Sequence, residues 1–587
     1  MAQTKTMPMD RHAHALAKRD YAADRRLVMI SAMAAAIGGC SAIAADVLLK
    51  LIRFFTNLFF FQRLSLAEAM PAHHALGAWV IALPVVGGLL VGLMARYGSE
   101  KIRGHGIPEA IEAILFGKSR MSPKVALLKP VSSGIVIGSG GPFGAEGPII
   151  MTGGSLGSLI AQFFHLTAAE RKTLLVAGAC AGMTAIFGTP VAALLLAVEL
   201  MLFEFRPRSL LPVAVACAVA GFLRPLLFEA GPLFPISTAP ATLPALASCV
   251  AAGLACGLLS SLLTHALYRM EDLFAKLPVH WMWWPAIGGL AVGIGGYFEP
   301  RALGVGYDVI GDLLSNHMAL TVALSLLGAK ALMWVVALGS GTSGGVLAPL
   351  LMMGAGLGVA LAPVLPGATP SLWALVCMAG VLGGVLGAPL TAIVFAFGLT
   401  HDSDALLPLL LTTAVSYGFN VLTMRRSIMT EKIARRGLHI YREYGVDPLE
   451  RQHVSDLMTR AVMTIEADCP IREAMQRYFG PDQPHRCYPM LSNGCLVGMI
   501  ERGTLVNAPE SATSCRDLAQ QGEEPVVALA GESVRSVAAR MAAYRLERLP
   551  VVETREGMRL IGIISRSDIL KSSEDVFAEE MVRERMR

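Results

Sequence analysis

The sequence predicts an all-α polytopic membrane domain followed by a pair of small α/β modules. Three observations carry this prediction. Apolar residues fill 54% of the 587 positions and charged residues only 16%, against about 45–50% and about 25% in soluble domains; the mean hydropathy is +0.56. The charge is uneven: 38 of the last 137 residues are Asp, Glu, Lys or Arg, against 55 of the first 450. The apolar part also repeats itself at a constant offset of 201 residues. This composition excludes an ordinary soluble enzyme, a disordered chain, collagen and a disulfide-knit secreted fold. A net charge of +5 gives no reason to expect a nucleic-acid partner.

Residues 1–27 are polar, with six Lys/Arg and three Asp. The apolar run from about Leu27 to Ile52 is too long for a signal h-region, so a cytoplasmic N-terminal segment is expected. Three runs can each cross a bilayer simply: 28–52, 76–96 and 243–268. Others are too short or are cut by Gly and Pro: 125–138, 147–164, 173–185, 190–203, 283–297, 345–363, 371–386 and 389–399. A full crossing needs ~20 apolar residues, and broken helices at membrane depth are tolerated where they are buried or line a wet cavity. Basic residues Arg425, Arg426, Lys432, Arg435, Arg436 and Arg442 flank the far end. Basic flanks stay inside, so both termini are expected in the cytoplasm.

The repeat sets GSGGPFGAEGPIIMTGGSLG (138–157) over GSGTSGGVLAPLLMMGAGLG (339–358). Gly138/Gly339, Gly144/Gly345, Pro148/Pro349, Gly153/Gly354 and Gly157/Gly358 match, as do Lys129 and Lys330. FGTPVAA (187–193) resembles LGAPLTA (386–392) at an offset of 199. Two halves follow, about 28–225 and 243–425, in a membrane domain spanning 28–436. Paired interrupted segments point to a binding site between halves. A linker (437–453) precedes two modules, 454–510 and 515–572, each reading strand, helix, strand, strand, helix; a charged tail covers 573–587. Cys40, Cys180, Cys217, Cys249, Cys256 and Cys377 lie in apolar runs and read as small core residues. No zinc spacing, P-loop or nucleophile–base pair occurs, so neither a metal site nor enzyme activity is expected.

The loops GHGIPEA (104–110), GAEGP (144–148) and GGVLAP (344–349) each open an apolar helix. Helix N-termini offer unpaired N–H donors and a positive dipole end, which bind anions without a charged side chain. Glu146 lies inside the second loop, where its repeat mate is Leu347. A carboxylate at membrane depth is expensive and usually functional; here it would compete with an anion for the same N–H groups. Lys129 and Lys330 are cations in apolar context, expected either to attract anions or to snorkel toward headgroups.

These motifs, in the order GxGIPE, GxEGP, GxxxP, closely resemble the CLC family of chloride channels and proton/chloride antiporters, over about 28–436. The tail resembles paired CBS domains, over 450–572. The resemblance implies a homodimer in the lipid bilayer with one anion path per subunit, each subunit an inverted repeat of tilted, broken helices. It makes Glu146 the gate and Lys129 the lysine 17 positions before it. It places chloride or a similar anion among His105, Gly106, Ile107, Gly147, Val346, Leu347 and Met429, with no cofactor required.

The chain departs from the family at four places. His105 stands where Ser is common, Met429 in SIMTEKI (427–433) where Tyr is common, and Leu347 where Phe is usual. Antiporters of the family carry two consecutive glutamates, the second passing protons; here Glu199 is followed by Leu200. Leu200 cannot carry a proton, so channel-like or uncoupled passage is expected; the alternative is a proton/anion antiporter in which Glu204 or a water chain substitutes for it. A CBS-containing cation transporter or a non-transporting nucleotide sensor fits less well, because the loops present donors. In the second CBS module Asp568 of GIISRSD (562–568) is expected to bond the ribose of an adenine nucleotide, while the first module has Thr504 there.

Overall fold

The computed structural model describes residues 25–438, 440, 449, 452–480, 483, 485–518 and 525–571. The chain divides into two compact units that part after Arg442. The first is helical. Its first half runs α1 (Arg26–Phe61), α2 (Ala82–Tyr97), α3 (Ile107–Leu115), α4 (Pro123–Gly138), α5 (Glu146–Gln162), α6 (Ala168–Phe187), α7 (Pro190–Leu196), a π-helical turn (Ala197–Leu202) and α8 (Pro207–Leu227). The second half runs α9 (Leu243–Ala275), α10 (Trp284–Phe298), α11 (Tyr307–Leu314), α12 (Leu320–Gly339), α13 (Leu347–Leu361), α14 (Pro370–Leu386), α15 (Pro389–Thr400), α16 (Leu406–Thr423) and α17 (Ile428–Ala434).

Among the described residues, six helical stretches are long and apolar enough to cross a membrane. Three of them lie outside the simple spans expected from sequence: Pro207–Leu227, Leu320–Gly339 and Leu406–Ala434. The first two are interrupted in sequence but not in space, while the third breaks at Met424–Ser427 into α16 and α17. Pro212 and Pro225 sit inside α8, Lys330 is buried within α12, and Thr412, Thr413 and Ser416 turn a polar stripe of α16 inward. Cys40 is also corrected: it is exposed on α1, while the other five cysteines of the apolar runs are buried.

The repeat is a structural two-fold, visible as reciprocal contacts. Gly144 and Gly345 form an antiparallel bridge, Gly144 N–H donating to Gly345 O at 3.3 Å and Gly345 N–H to Gly144 O at 2.9 Å. Gly104 N–H donates to Gly341 O (3.3 Å), and Gly304 N–H to Gly140 O (3.1 Å). Gly88 of α2 touches the Pro285 carbonyl of α10, and Gly289 of α10 touches that of Pro84. The matched glycines serve close helix crossings. Gly153 and Gly157 bring α5 onto the carbonyls of Gly178 and Leu174 in α6; Gly354 and Gly358 bring α13 onto those of Cys377 and Trp373 in α14. Small residues let helix backbones approach in this way.

The second unit contains two three-stranded sheets of the same topology. In one, β1 (Ile465–Glu466) runs parallel to β2 (Cys487–Ser492), which runs antiparallel to β3 (Cys495–Glu501). In the other, β4 (Ala528–Leu529), β5 (Arg548–Val552) and β6 (Leu560–Ser565) repeat the pattern. Amphipathic helices Ile471–Tyr478 and Val534–Tyr544 cover the sheets. Leu496, Val527 and Val552 form an apolar contact between the two modules.

Candidate functional site

Glu146 opens α5 and is fully buried. Its side chain crosses the two-fold to the head of α13. Oε1 accepts from the Ala348 N–H at 3.2 Å and from the Tyr307 hydroxyl at 3.4 Å. Oε2 is buried with no hydrogen-bond partner among the described residues. A Cβ on Gly345 would stand 2.6 Å from Oε2, and one on Gly144 would strike both carboxylate oxygens. The glycines on either side of the bridge therefore make the space that the carboxylate fills. Val346 and Leu347 begin the same turn of α13 and are buried. The first N–H groups of a helix have no intrahelical acceptor, so the carboxylate occupies an anion seat.

Both lysines are fully buried and neither snorkels. Lys129 donates to the carbonyls of Ile102 and Gly104, each at 2.8 Å. Lys330 donates to those of Ala302 (3.0 Å) and Gly304 (2.8 Å). Each ammonium thus braces the loop that precedes α3 or α11. The second of these loops, GVGYDV (304–309), is the repeat mate of the first at an offset of 200, and it supplies Tyr307. That residue was missed in the sequence, although the glycine pair Gly304 and Gly306 set against Gly104 and Gly106 was the available signal.

Gly106 has φ +89°, which favours glycine. Its N–H is already taken by Glu109 Oε2 at 3.1 Å, a capping contact on α3, so this amide serves the helix rather than an anion. Ile107 is buried at the head of α3. The His105 carbonyl packs against Gly147, next to the gate. His105 itself is 2% exposed, and its Nδ1 is buried without a partner among the described residues. Met429 is fully buried on α17. A cavity of about 510 Å³ reaches Gly104 and Glu109, and is lined also by Arg103, Glu271, Lys432 and Arg436.

Leu200 is fully buried in the π-helical turn. Glu199 turns instead to the head of α15, accepting from Leu390 N–H (3.1 Å), Thr391 N–H (2.7 Å) and the Thr391 hydroxyl (2.6 Å). Glu204 accepts from Ser209 Oγ at 2.7 Å and lies 3.8 Å from Lys172 and 3.7 Å from Arg206. Both acids near Leu200 are therefore committed to other partners.

In the second unit Asp568 Oδ2 accepts from Ser565 N–H (3.0 Å) and Oγ (2.6 Å), and Oδ1 lies 3.3 Å from Lys571. It caps the turn that follows β6. The cavity of about 770 Å³ in this unit is lined instead by Thr504, Arg486, Arg545 and Arg548. The cleft thus lies between the modules, with Arg486 and Thr504 from the first and Arg545 and Arg548 from the second, and Asp568 is not among its lining residues.

The comparisons with known proteins agree on one family. The profile described as "Voltage gated chloride channel" matches residues 87–421. The CBS domain profile matches 454–511 and 516–575. The chain is 30% identical over 377 residues to a ClcB-like protein named as a chloride channel from Ralstonia nicotianae, covering 62% of this chain and 87% of that one. It is 28% identical over 411 residues to the H(+)/Cl(−) exchange transporter ClcA of Citrobacter koseri, covering 66% and 85%. The fold is similar to that of a slow cyanobacterial Cl−/H+ antiporter, with TM-score 0.62 and 21% identity over 70% of this chain and 98% of that one. The expectation of channel-like passage drawn from Leu200 finds no support in the two exchangers.

Proposed function

The chain belongs to the voltage gated chloride channel family, the CLC proteins, and from that premise we propose that it exchanges protons for chloride or a similar small anion, with Glu146 as the moving gate. Anion transport across a membrane is the activity of the family; the coupling is the proposal. One observation carries it: the Glu146 carboxylate fills the anion seat at the head of α13 and holds Ala348 N–H. An anion must displace it, and the displaced carboxylate leaves a seat of donors more readily as the neutral acid. Proton binding and anion binding are then linked at one side chain. The names of the exchangers above support the same reading. Uncoupled passage is the second reading, favoured by the buried apolar Leu200.

The dimer, the cytoplasmic termini and an adenine nucleotide in the CBS cleft beside Thr504 belong to the same proposal. Simultaneous recording of chloride and proton movement in liposomes tests the coupling. A chloride gradient should drive protons uphill. Chloride flow without proton movement would select the uncoupled reading, and no flux of any halide or nitrate would sink both.

A further inference from the structure

Cys469, Cys487, Cys495 and Cys515 fall in the second unit, and two of them face each other within the first module. Pro470 and Ser514 form an antiparallel bridge, and the same register sets Ile471 opposite Thr513, Cys469 opposite Cys515 and Asp468 opposite Arg516. Backbone and side chains hold this register. Ile471 N–H donates to Thr513 O at 3.3 Å and Cys515 N–H to Cys469 O at 2.9 Å, while Arg516 Nε donates to Asp468 Oδ1 at 2.8 Å. Directly opposed residues of an antiparallel pair have Cα atoms about 4.5–5.5 Å apart, inside the range of about 4.4–6.8 Å that a disulfide spans. The thiols themselves interact, Cys515 as donor and Cys469 as acceptor. Cys515 is fully buried in the core of the module, and Cys469 is partly exposed. Cys515 and Leu518, the two ends of the turn Cys515–Leu518, also line the cleft of about 770 Å³. Pro470 stands at the head of the helix Ile471–Tyr478.

We propose that Cys469 and Cys515 are an oxidation site: a low-molecular-weight disulfide converts them to an intramolecular disulfide that latches the turn Cys515–Leu518, and with it one wall of the cleft, to the head of the helix Ile471–Tyr478. The exposures assign the order of attack. Burial pushes both thiols above the ordinary value, Cys515 to about 11, so the partly exposed Cys469 meets the oxidant first, as its thiolate. That thiolate attacks one sulfur of R–S–S–R. A Cys469–S–S–R bond forms, and R–S⁻ leaves and takes up the proton that Cys469 released. Cys515 then gives up its proton and attacks the Cys469 sulfur. The Cys469–Cys515 bond forms, and the second R–S⁻ departs with that proton. Two protein thiols are oxidised, and one disulfide is reduced to two R–SH. The second attack is intramolecular, and proximity offsets the weak acidity of the buried thiol. In a reducing compartment the pair is a dithiol, and it closes as the disulfide share of the surrounding thiol pool rises.

The test uses the full chain in detergent, equilibrated with mixtures of reduced and oxidised glutathione. Samples are quenched, alkylated in denaturant, digested and read by mass spectrometry. As the oxidised share rises, Cys469 and Cys515 should be lost from alkylation together, and the peptide crosslinked through them should appear. Cys487 and Cys495 should enter no crosslink. Cys515→Ala should trap a glutathione adduct on Cys469, and Cys469→Ser should leave Cys515 open to alkylation. Hydrogen exchange in Cys515–Leu518 should slow several-fold in the oxidised parent and not in Cys469→Ser treated alike. A parent in which neither thiol reacts, or in which Cys469 keeps its glutathione adduct without a crosslink, overturns the proposal. So does a crosslink that runs through Cys487 or Cys495 instead. A Cys469–Cys515 crosslink that leaves exchange in Cys515–Leu518 unchanged overturns the latch. The crosslink readings come from the parent, so they stand even if Cys515→Ala fails to fold.

Discussion

Removal of the Tyr307 hydroxyl isolates the strength with which the gate is held. In the closed site this hydroxyl donates to Glu146 Oε1 at 3.4 Å, alongside the Ala348 N–H at 3.2 Å. The ring is fixed independently by edge contacts to Phe187 (6.2 Å between centroids) and Phe234 (6.3 Å). Tyr307→Phe therefore deletes one hydrogen bond and keeps the packing. A typical bond of this kind contributes about 0.5–1.5 kcal/mol net, which weakens the closed gate by about 2- to 13-fold. Anion and carboxylate compete for the same donors, so the apparent chloride dissociation constant should fall by the same factor. Calorimetric titration of chloride into the detergent-solubilised protein reads this directly. In a Glu146→Ala background the hydroxyl has no carboxylate to hold, and Tyr307→Phe should then change nothing. Unchanged affinity in the parent background would refute the argument. A weaker affinity in both backgrounds would mean that the hydroxyl serves the anion instead of the gate.

Three further outcomes follow from the same geometry. Glu146→Ala should leave chloride flux intact or faster while abolishing its coupling to protons, read by paired flux recordings; unaltered coupling would remove Glu146 from the mechanism. Gly345→Ala puts a Cβ 2.5 Å from the Gly144 carbonyl and 2.6 Å from Glu146 Oε2. Overpacking of this kind costs about 1–3 kcal/mol, so the melting temperature in detergent should fall, and an unchanged one would contradict the close bridge. In the CBS unit, burial pushes the Glu532 carboxyl up, but two Arg540 N–H groups at 2.9 Å, the Leu529 N–H and Arg555 hold it below the ordinary value. That stabilisation is complete above the ordinary carboxylate range and is lost as pH falls through the lower folded value. Arg540→Ala should remove about 1–2 kcal/mol at pH 7 and speed hydrogen exchange in Val534–Tyr544 of the full chain, with a smaller effect at pH 3.

The sequence carried the two-fold because glycines are matched where backbones touch: Gly144, Gly153 and Gly157 against Gly345, Gly354 and Gly358. Lys129 and Lys330 were legible as a pair for the same reason, but not as braces, because their acceptors are carbonyls, which sequence does not distinguish. Tyr307 escaped because its loop drifts by one residue from the common offset and replaces Ile-Pro with Tyr-Asp. The spans through Lys330 and through Ser416 escaped because hydropathy counts a polar atom alike whether a carbonyl satisfies it or water does. Ser416 Oγ, for example, donates to Gly380 O at 2.8 Å. The commitments of Glu199 and Glu204 were equally hidden, since they depend on which neighbour the π-helical turn aims at.

The bridge between Gly144 and Gly345 joins two loops of common design that have taken complementary parts. One contributes a plug, Glu146, and its mate contributes a socket, headed by Leu347 and Ala348. A symmetric ancestor with a carboxylate in both loops would place two like charges in one cleft, and one with leucine in both would have nothing to close it. The asymmetry of the site therefore lies where the matched loops part: Ala145, Glu146 and Gly147 stand opposite Val346, Leu347 and Ala348 in the common register.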